Sequence, residues 1–335
     1  MLVMYQNAGW SGVWQMVRLL WGLRRESVLY LNGFLARRFS MLAVWMCWLG
    51  LCRPRAIVLA PRGEFSPGAL GINSFRKRLY LGVVRFLGLY ESVLWHASSN
   101  REAQDILDEF CNADVVVAGN LPGKFSPHKF QKKAKVPVFL RLCCVSRVAR
   151  MKNLRSSFQL IAGLEGNVVF SIYGPMEDRA YWAECEEAIT ALPKNVRVEY
   201  RGEIGHEEVG RVFGESDLFL LPTLGENYGH VICESLAAGC PVLVSDRTPW
   251  RGLEELGVGW DLPLEEPERW KVVLQRCVDM GEEEHRAMRE RARAYAKEKM
   301  EDPAAVEANR RLFRIAFGLE EMPKASAAEV AEETR

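Results

Sequence analysis

Several signatures are missing from this 335-residue chain, and each omission excludes a class of chemistry. There is no GxxxxGK[ST], no complete GxGxxG, no HExxH and no GxSxG. P-loop phosphoryl transfer, dinucleotide redox chemistry, zinc proteolysis and α/β-hydrolase chemistry therefore lose their sequence support. The nine cysteines include no CxxC pair, and no His/Cys cluster has zinc spacing. Their odd number suits small core residues in a reducing compartment better than a disulfide framework. The strongest apolar run, MLAVWMCWLGLC at 41–52, is too short for a bilayer span, which takes about 20 residues. A buried helix is expected there. The first residues lack the basic start, apolar centre and small-residue cleavage site of a signal peptide. A cytoplasmic location is expected, with peripheral contact at the inner membrane surface left open.

What is present is ordinary globular composition: 49% hydrophobic, 26% charged and a formal net charge of +1. The length suggests two domains. Charge is unevenly spread. Residues 1–136 hold 18 Lys/Arg against 8 Asp/Glu, so the rest of the chain is acidic. A basic half points to an anionic substrate or surface; two oppositely charged faces that meet each other explain it equally well. No nucleic-acid partner is expected.

Short apolar runs alternate with helical patterns. Strands are expected at 28–31, 56–59, 92–95 and 115–118, then at 138–145, 168–173, 196–201, 218–221 and 241–245. Helices intervene, among them 75–89, 100–110, 154–162, 180–192, 207–213, 230–238 and 268–280. Such alternation argues for an α/β protein with doubly wound parallel sheets. The polar, basic, aperiodic stretch 123–136 reads as an interdomain linker. The expected domains are 1–133 and 134–318, and 319–335 reads as a disordered tail. Ligands of open α/β sheets sit beyond the C-terminal strand ends, so site residues should follow strands.

The strongest motif does so. PTLGENYGHVICES, from Pro222 to Ser235, follows the strand 218–221 and opens a helix. Glu226 lies in the loop and Glu234 about one turn into the helix. Gly229 lets backbone approach a ligand closely. The amides of Asn227, Tyr228, Gly229 and His230 lead into the helix and favour an anion such as a diphosphate. Sugar and ribose hydroxyls would suit the acceptor-only carboxylates. The plain alternative, with equal weight, makes Glu226 a capping carboxylate and Glu234 a solvated helix residue. A second motif, SRVARMKN, follows the strand 138–145. Arg147 and Lys152 could neutralise a leaving diphosphate there, or be ordinary solvated surface. A third, WHASS, places His96 at the end of a first-half strand, either facing the cleft between the halves or as a satisfied core histidine. Ser99 and Glu102 nearby would form a capping box. A fourth, APRGEFSPG, brings Arg62, Glu64 and Ser66 into a loop that fits an acceptor site or a simple turn.

Together these residues resemble the group 1 retaining glycosyltransferases, glycosyltransferase family 4. The family's E-x7-E signature is similar to Glu226 and Glu234, and its R-x4-K pair to Arg147 and Lys152. The segments SDRTPWRGLEELGVGWDLPL, APRGEFSPGAL and WHASSNREAQDI look like a bacterial envelope-polysaccharide branch. The resemblance implies a GT-B fold: two Rossmann-like domains facing a cleft, the first of them shortened, because the chain opens on a helical pattern. It implies that Arg147 and Lys152 bind the donor diphosphate and stabilise it as it leaves. Glu226 with the 227–230 backbone would contact the donor sugar, Glu234 the ribose, and His96 the sugar's reacting face. Transfer with retention by front-face attack is the implied route. The D-x-D pair that holds Mn²⁺ or Mg²⁺ in GT-A enzymes is absent, and no metal or cofactor is expected. The implied reaction moves a hexose-type sugar from a UDP- or GDP-sugar to a hydroxyl of a cell-envelope glycan, such as a lipopolysaccharide precursor, or of a lipid-linked acceptor. The rival reading is an impaired or truncated relative that binds nucleotide sugars or acts as a scaffold.

Overall fold

The computed structural model describes residues 10–23, 25–66, 69–70, 74–121, 123 and 133–322. Most of the expected linker, 124–132, and the end of the expected tail, 323–335, lie outside the described residues. The chain divides into two compact units: Met1–Asn120 with Pro303–Arg335, and Leu121–Asp302.

The first unit holds four parallel strands, β1 (Val28–Asn32), β2 (Ala56–Ala60), β3 (Val93–Ala97) and β4 (Asp114–Val117), in the order 1-2-3-4. Side chains alternate across the pleat, so each strand feeds two cores. Leu31, Ile57, Leu59, Val93 and Trp95 enter one core, roofed by the helices Trp10–Trp21, Leu42–Trp48, Ser74–Phe86 and Asn100–Glu109. Val58, Leu94 and Val116 point the other way, against Leu312, Ile315 and Ala316.

Those last three residues belong to the helix Pro303–Ala316, not foreseen as a helix, in a stretch that the expected boundaries place in the second domain, 134–318. The structure packs it on the first sheet instead. Helical periodicity reveals an apolar stripe but not which sheet it will cover. The chain beyond Ala316 stays engaged: Arg311 and Arg314 donate to the Glu320 carboxylate, and Met322 joins the same core. The apolar run 41–52 also differs from expectation. A π-helical turn, Arg37–Met41, leads into the helix Leu42–Trp48, whose Ala43, Val44 and Met46 are buried. Trp48, Leu49 and Leu51 are exposed, so the segment is half buried rather than buried.

The second unit holds six parallel strands: β5 (Phe139–Val145), β6 (Asn167–Tyr173), β7 (Val196–Gly202), β8 (Leu218–Leu221), β9 (Val242–Ser245) and β10 (Gly259–Leu262). Their order is β10-β9-β8-β5-β6-β7. The chain winds outward from β5 to β7, then returns to place β8 on the other side of β5. This reversal makes β5/β8 the switch point, where open sheets bind ligands at their C-terminal ends. Asp217 secures the return. Its buried carboxylate accepts from the Arg141 backbone N–H at 2.8 Å and from the guanidinium at 2.7 and 3.0 Å. The central strands β8 and β9 are buried throughout. Fully buried Phe219, Leu220 and Trp260 each contribute roughly 1.5–3 kcal/mol or more of burial free energy.

Candidate functional site

Two loops leave the switch point side by side. The loop after β5 passes Arg147 and makes a short 3₁₀ turn, Arg150–Lys152, that ends on Asn153 in the left-handed region (φ 53°). The loop after β8 is stitched to it: Leu224 N–H donates to Met151 O at 2.8 Å, and Thr223 Oγ1 donates to the same oxygen at 3.0 Å. The loop after β9 joins them through Ser245 Oγ on Thr223 O (2.6 Å) and Glu226 N–H on Arg247 O (3.0 Å). These bonds bring the halves of two separate motifs together. Lys152 and Glu226, 74 residues apart, form an ion pair with side chains only 12% and 18% exposed. Shielded to that degree, the two charges attract through less screening than in a surface salt bridge, while both give up part of their hydration.

Gly229 caps the helix His230–Ala238 in the left-handed region (φ 75°). A Cβ there would lie 2.7 Å from Ile232 Cδ1 and 3.1 Å from Glu226 Cγ, so the glycine sets how closely Glu226 approaches the helix start. The Tyr228 and His230 rings pack at 4.6 Å. The Tyr228 carbonyl accepts from Trp250 Nε1 at 2.5 Å. Trp250 is buried and holds the backbone at Tyr228, a contact not expected from the sequence. An indole N–H placed just after a strand was the available signal.

Glu234 lies one turn into the helix, half buried. Burial pushes its carboxyl above the usual range, and His206, at the start of a neighbouring helix, opposes that rise. Among the described residues the Glu234 carboxylate has no hydrogen-bond partner. A ligand hydroxyl would supply one.

Arg147 is placed differently. It is well exposed and paired with Glu177 on the loop after β6. That loop is pinned to its own by Val148 N–H on Pro175 O (2.9 Å) and Asp178 N–H on Val148 O (3.0 Å). Gly174 permits the approach, because a Cβ there would collide with the Ser146 carbonyl. Glu177 was overlooked in the sequence although it follows a strand directly.

The first-unit candidates form a closed network. His96 is 2% exposed, and Nε2 meets Ala118 O at 2.7 Å. A carbonyl can only accept, so Nε2 carries the proton and Nδ1 accepts from Tyr30 O–H, also at 2.7 Å. Burial lowers the ring's pKa, which keeps it neutral. Both nitrogens are thus used within the unit. These contacts are those of the core-histidine alternative: buried backbone and phenol partners satisfy the ring.

Arg62, in the left-handed region at φ 57°, donates to Tyr30 Oη (2.8 Å) and Asn32 Oδ1 (2.6 Å) and pairs with Asn120. Glu64 accepts from the Phe34 and Leu35 amides at 2.5 and 2.7 Å; burial raises its pKa and those amides oppose the rise. Ser66 Oγ accepts from Ala69 N–H at 3.3 Å. All three tie the loop after β2 to its surroundings, as a turn requires. Ser99 Oγ accepts from Glu102 N–H at 3.2 Å, the expected half of a capping box. The Glu102 carboxylate goes elsewhere, to Gly63 N–H, Ser98 N–H and Ser98 Oγ.

Solved structures with the same architecture are glycosyltransferases of the GT-B type. Anabaena HepE, solved with UDP and glucose, is 16% identical, with a TM-score of 0.68 over 91% of this chain and 80% of that one. Sucrose-phosphate synthase from Thermosynechococcus elongatus is 17% identical, with a TM-score of 0.62 over 88% and 74%. A glycosyltransferase from Rickettsia africae is 15% identical, with a TM-score of 0.64 over 96% and 85%. These likenesses, with the two parallel sheets, define a GT-B fold. No curated protein matches the chain in sequence. The sequence pattern of the family described as Glycosyl transferases group 1 matches residues 125–297, just over half of the chain. The chain belongs to that family and is a glycosyltransferase.

Proposed function

We propose that this enzyme transfers a hexose-type sugar, with retention, from a UDP- or GDP-sugar to a hydroxyl of a cell-envelope glycan, such as a lipopolysaccharide precursor, or of a lipid-linked acceptor, without a metal. The observation that carries this reading is the shielded Lys152–Glu226 pair at the switch point, beside the start of the helix His230–Ala238. Lys152 and Arg147 supply two positive charges for a diphosphate, and the leading amides of the helix supply aligned N–H groups. Glu226 and Glu234 then receive sugar and ribose hydroxyls. That division is the one the family 4 resemblance implies for Glu226 and Glu234.

In the reaction so read, an acceptor oxygen bonds to the anomeric carbon while the bond from that carbon to the diphosphate oxygen breaks. The acceptor proton passes to the departing diphosphate on the same face. Stabilising the growing charge on that oxygen is the main catalytic task, and cations with preorganised amides do it without bound metal. HepE, solved with UDP and glucose, and a pneumococcal O-GlcNAc transferase, solved with UDP and GlcNAc, support a nucleotide-sugar donor by likeness of fold.

The test is a panel of UDP- and GDP-sugars. One of them should raise the melting temperature and yield free or transferred sugar whose NMR coupling shows the donor's own anomeric configuration. Stabilisation without turnover, or an inverted product, would reject the reading.

A further inference from the structure

Among the described residues, no helix is long and apolar enough to cross a membrane. The first unit nevertheless exposes large apolar side chains in a pattern that burial does not explain. Trp14, Trp21, Trp48, Phe75, Leu79 and Phe86 are between 46% and 89% exposed. They sit on three helices, Trp10–Trp21, Leu42–Trp48 and Ser74–Phe86, whose inner faces enter one core on the same side of the first sheet. Their outer faces therefore point away from that sheet together.

The helix Ser74–Phe86 shows the pattern most clearly. Leu81 and Val84 turn inward, while Phe75, Leu79, Val83 and Phe86 turn outward at the spacing of one helical face. Arg76 and Arg78 are exposed beside them, and the helix contains no acidic residue. Charge follows the same bias over a longer stretch. Residues 10–86 hold twelve Lys/Arg and two acids, Glu26 and Glu64, and Glu64 is already bonded to two backbone amides. The second unit offers no counterpart: among its described residues no Trp or Phe is exposed.

Exposed aromatics flanked by arginines are costly in water and unnecessary for the core beneath them. They suit the headgroup layer of an anionic membrane, where rings settle among the acyl-chain ends and guanidinium groups meet lipid phosphates. We propose that this face docks on an anionic lipid surface, lying on it without crossing it. A protein partner would more often bring acidic side chains to match, and a second copy of this chain would bring its own arginines against these. The docking surface is argued from the first unit alone and does not depend on the donor assignment.

Flotation of the full chain with two kinds of vesicle tests it: phosphatidylcholine alone, and phosphatidylcholine with phosphatidylglycerol. Binding should appear with the anionic vesicles and weaken as salt rises. The double variant Phe75→Ser/Phe86→Ser and the double variant Arg76→Glu/Arg78→Glu should each lower partitioning by about tenfold or more. Their circular dichroism and melting temperature should stay those of the parent, since all four side chains are exposed. Failure of the folded parent to bind, equal binding to both vesicle types, or full binding by both variants would overturn the proposal. So would a dimer in sedimentation that the same variants dissolve, which would make the face a subunit contact.

Discussion

The two sheets end in different kinds of chemistry. At the C-terminal ends of β1–β4, Tyr30, Arg62, Glu64, His96 and Glu102 bond to one another or to nearby backbone, so the first sheet's strand ends close on themselves. At the ends of β5 and β8, Lys152 and Glu226 are shielded but within reach of solvent, Arg147 stands exposed, and Glu234 is half buried, its carboxylate without a bonded partner among the described residues. Closed networks hold loops in place; open, charged ends are where a ligand still has bonds to make. The difference teaches that a candidate's position after a strand is not enough. Its remaining bonding capacity decides whether it is architecture or site.

Variants should separate the two ends. The largest effect is expected at the open one. Glu226→Ala and Lys152→Ala should each lower transfer by about 10²–10³ fold with the far-UV spectrum unchanged, because each removes a group that the proposed function assigns to the donor. Steady-state rates with the donor found by screening would check this, and normal rates in both would erase the proposed contrast. Next comes a backbone test. Gly174→Ala should cost about 2–4 kcal/mol in urea unfolding, since the new methyl meets the Ser146 carbonyl where the loops after β5 and β6 touch.

At the closed end the change should fall on stability instead. His96→Ala should cost about 2–4 kcal/mol, because the Tyr30 hydroxyl proton loses its acceptor and the Ala118 carbonyl loses its donor, while the rate per folded molecule drops less than about tenfold. The same residue predicts a pH dependence. Burial holds the folded pKa of His96 below the ordinary value of 6.5, so below pH 6.5 the unfolded chain binds more protons than the native state. Its contribution is present above pH 6.5 and is lost as pH falls toward the folded value. His285, also buried with a lowered pKa, acts in the same direction. Buried carboxyls with raised pKa, Asp105 at about 6 among them, act in the opposite direction, so the His96 share is read by difference: between pH 7 and pH 5.5 the urea midpoint of His96→Gln should shift less toward instability than that of the parent. The smallest effect belongs to the exposed Arg147–Glu177 pair. Glu177→Ala should change stability by less than about 0.5 kcal/mol, because solvent screens the pair.

Much of this was legible in the residues. Nine of the ten strands fall within a residue or two of their apolar runs, because buried parallel strands leave short unbroken apolar blocks. The strand β10 was not foreseen: Gly-Trp-Asp-Leu is brief and shows neither a block nor an alternation. The charged helix Glu282–Met300 was missed because its apolar stripe is thin, mainly alanines with Met288 and Tyr295. The site was legible where motif and strand end coincide. Lys152 with Glu226 could be paired only by family resemblance, since nothing local in a sequence shows that β5 and β8 become neighbours. His96 was read equally as site or core, because spacing places a residue at a strand end without revealing Tyr30 and Ala118 beside it. The Trp250 brace is a tertiary contact of the same kind.

The central claim is that a nucleoside diphosphate sits between the ends of β5 and β8. A crystal structure with the donor, or with UDP or GDP, tests it directly. The account predicts phosphate oxygens within about 3 Å of Lys152, Arg147 or the amides leading into the helix His230–Ala238, with the ribose hydroxyls on Glu234. A nucleotide bound elsewhere on the molecule, with those groups turned away from it, would contradict the account.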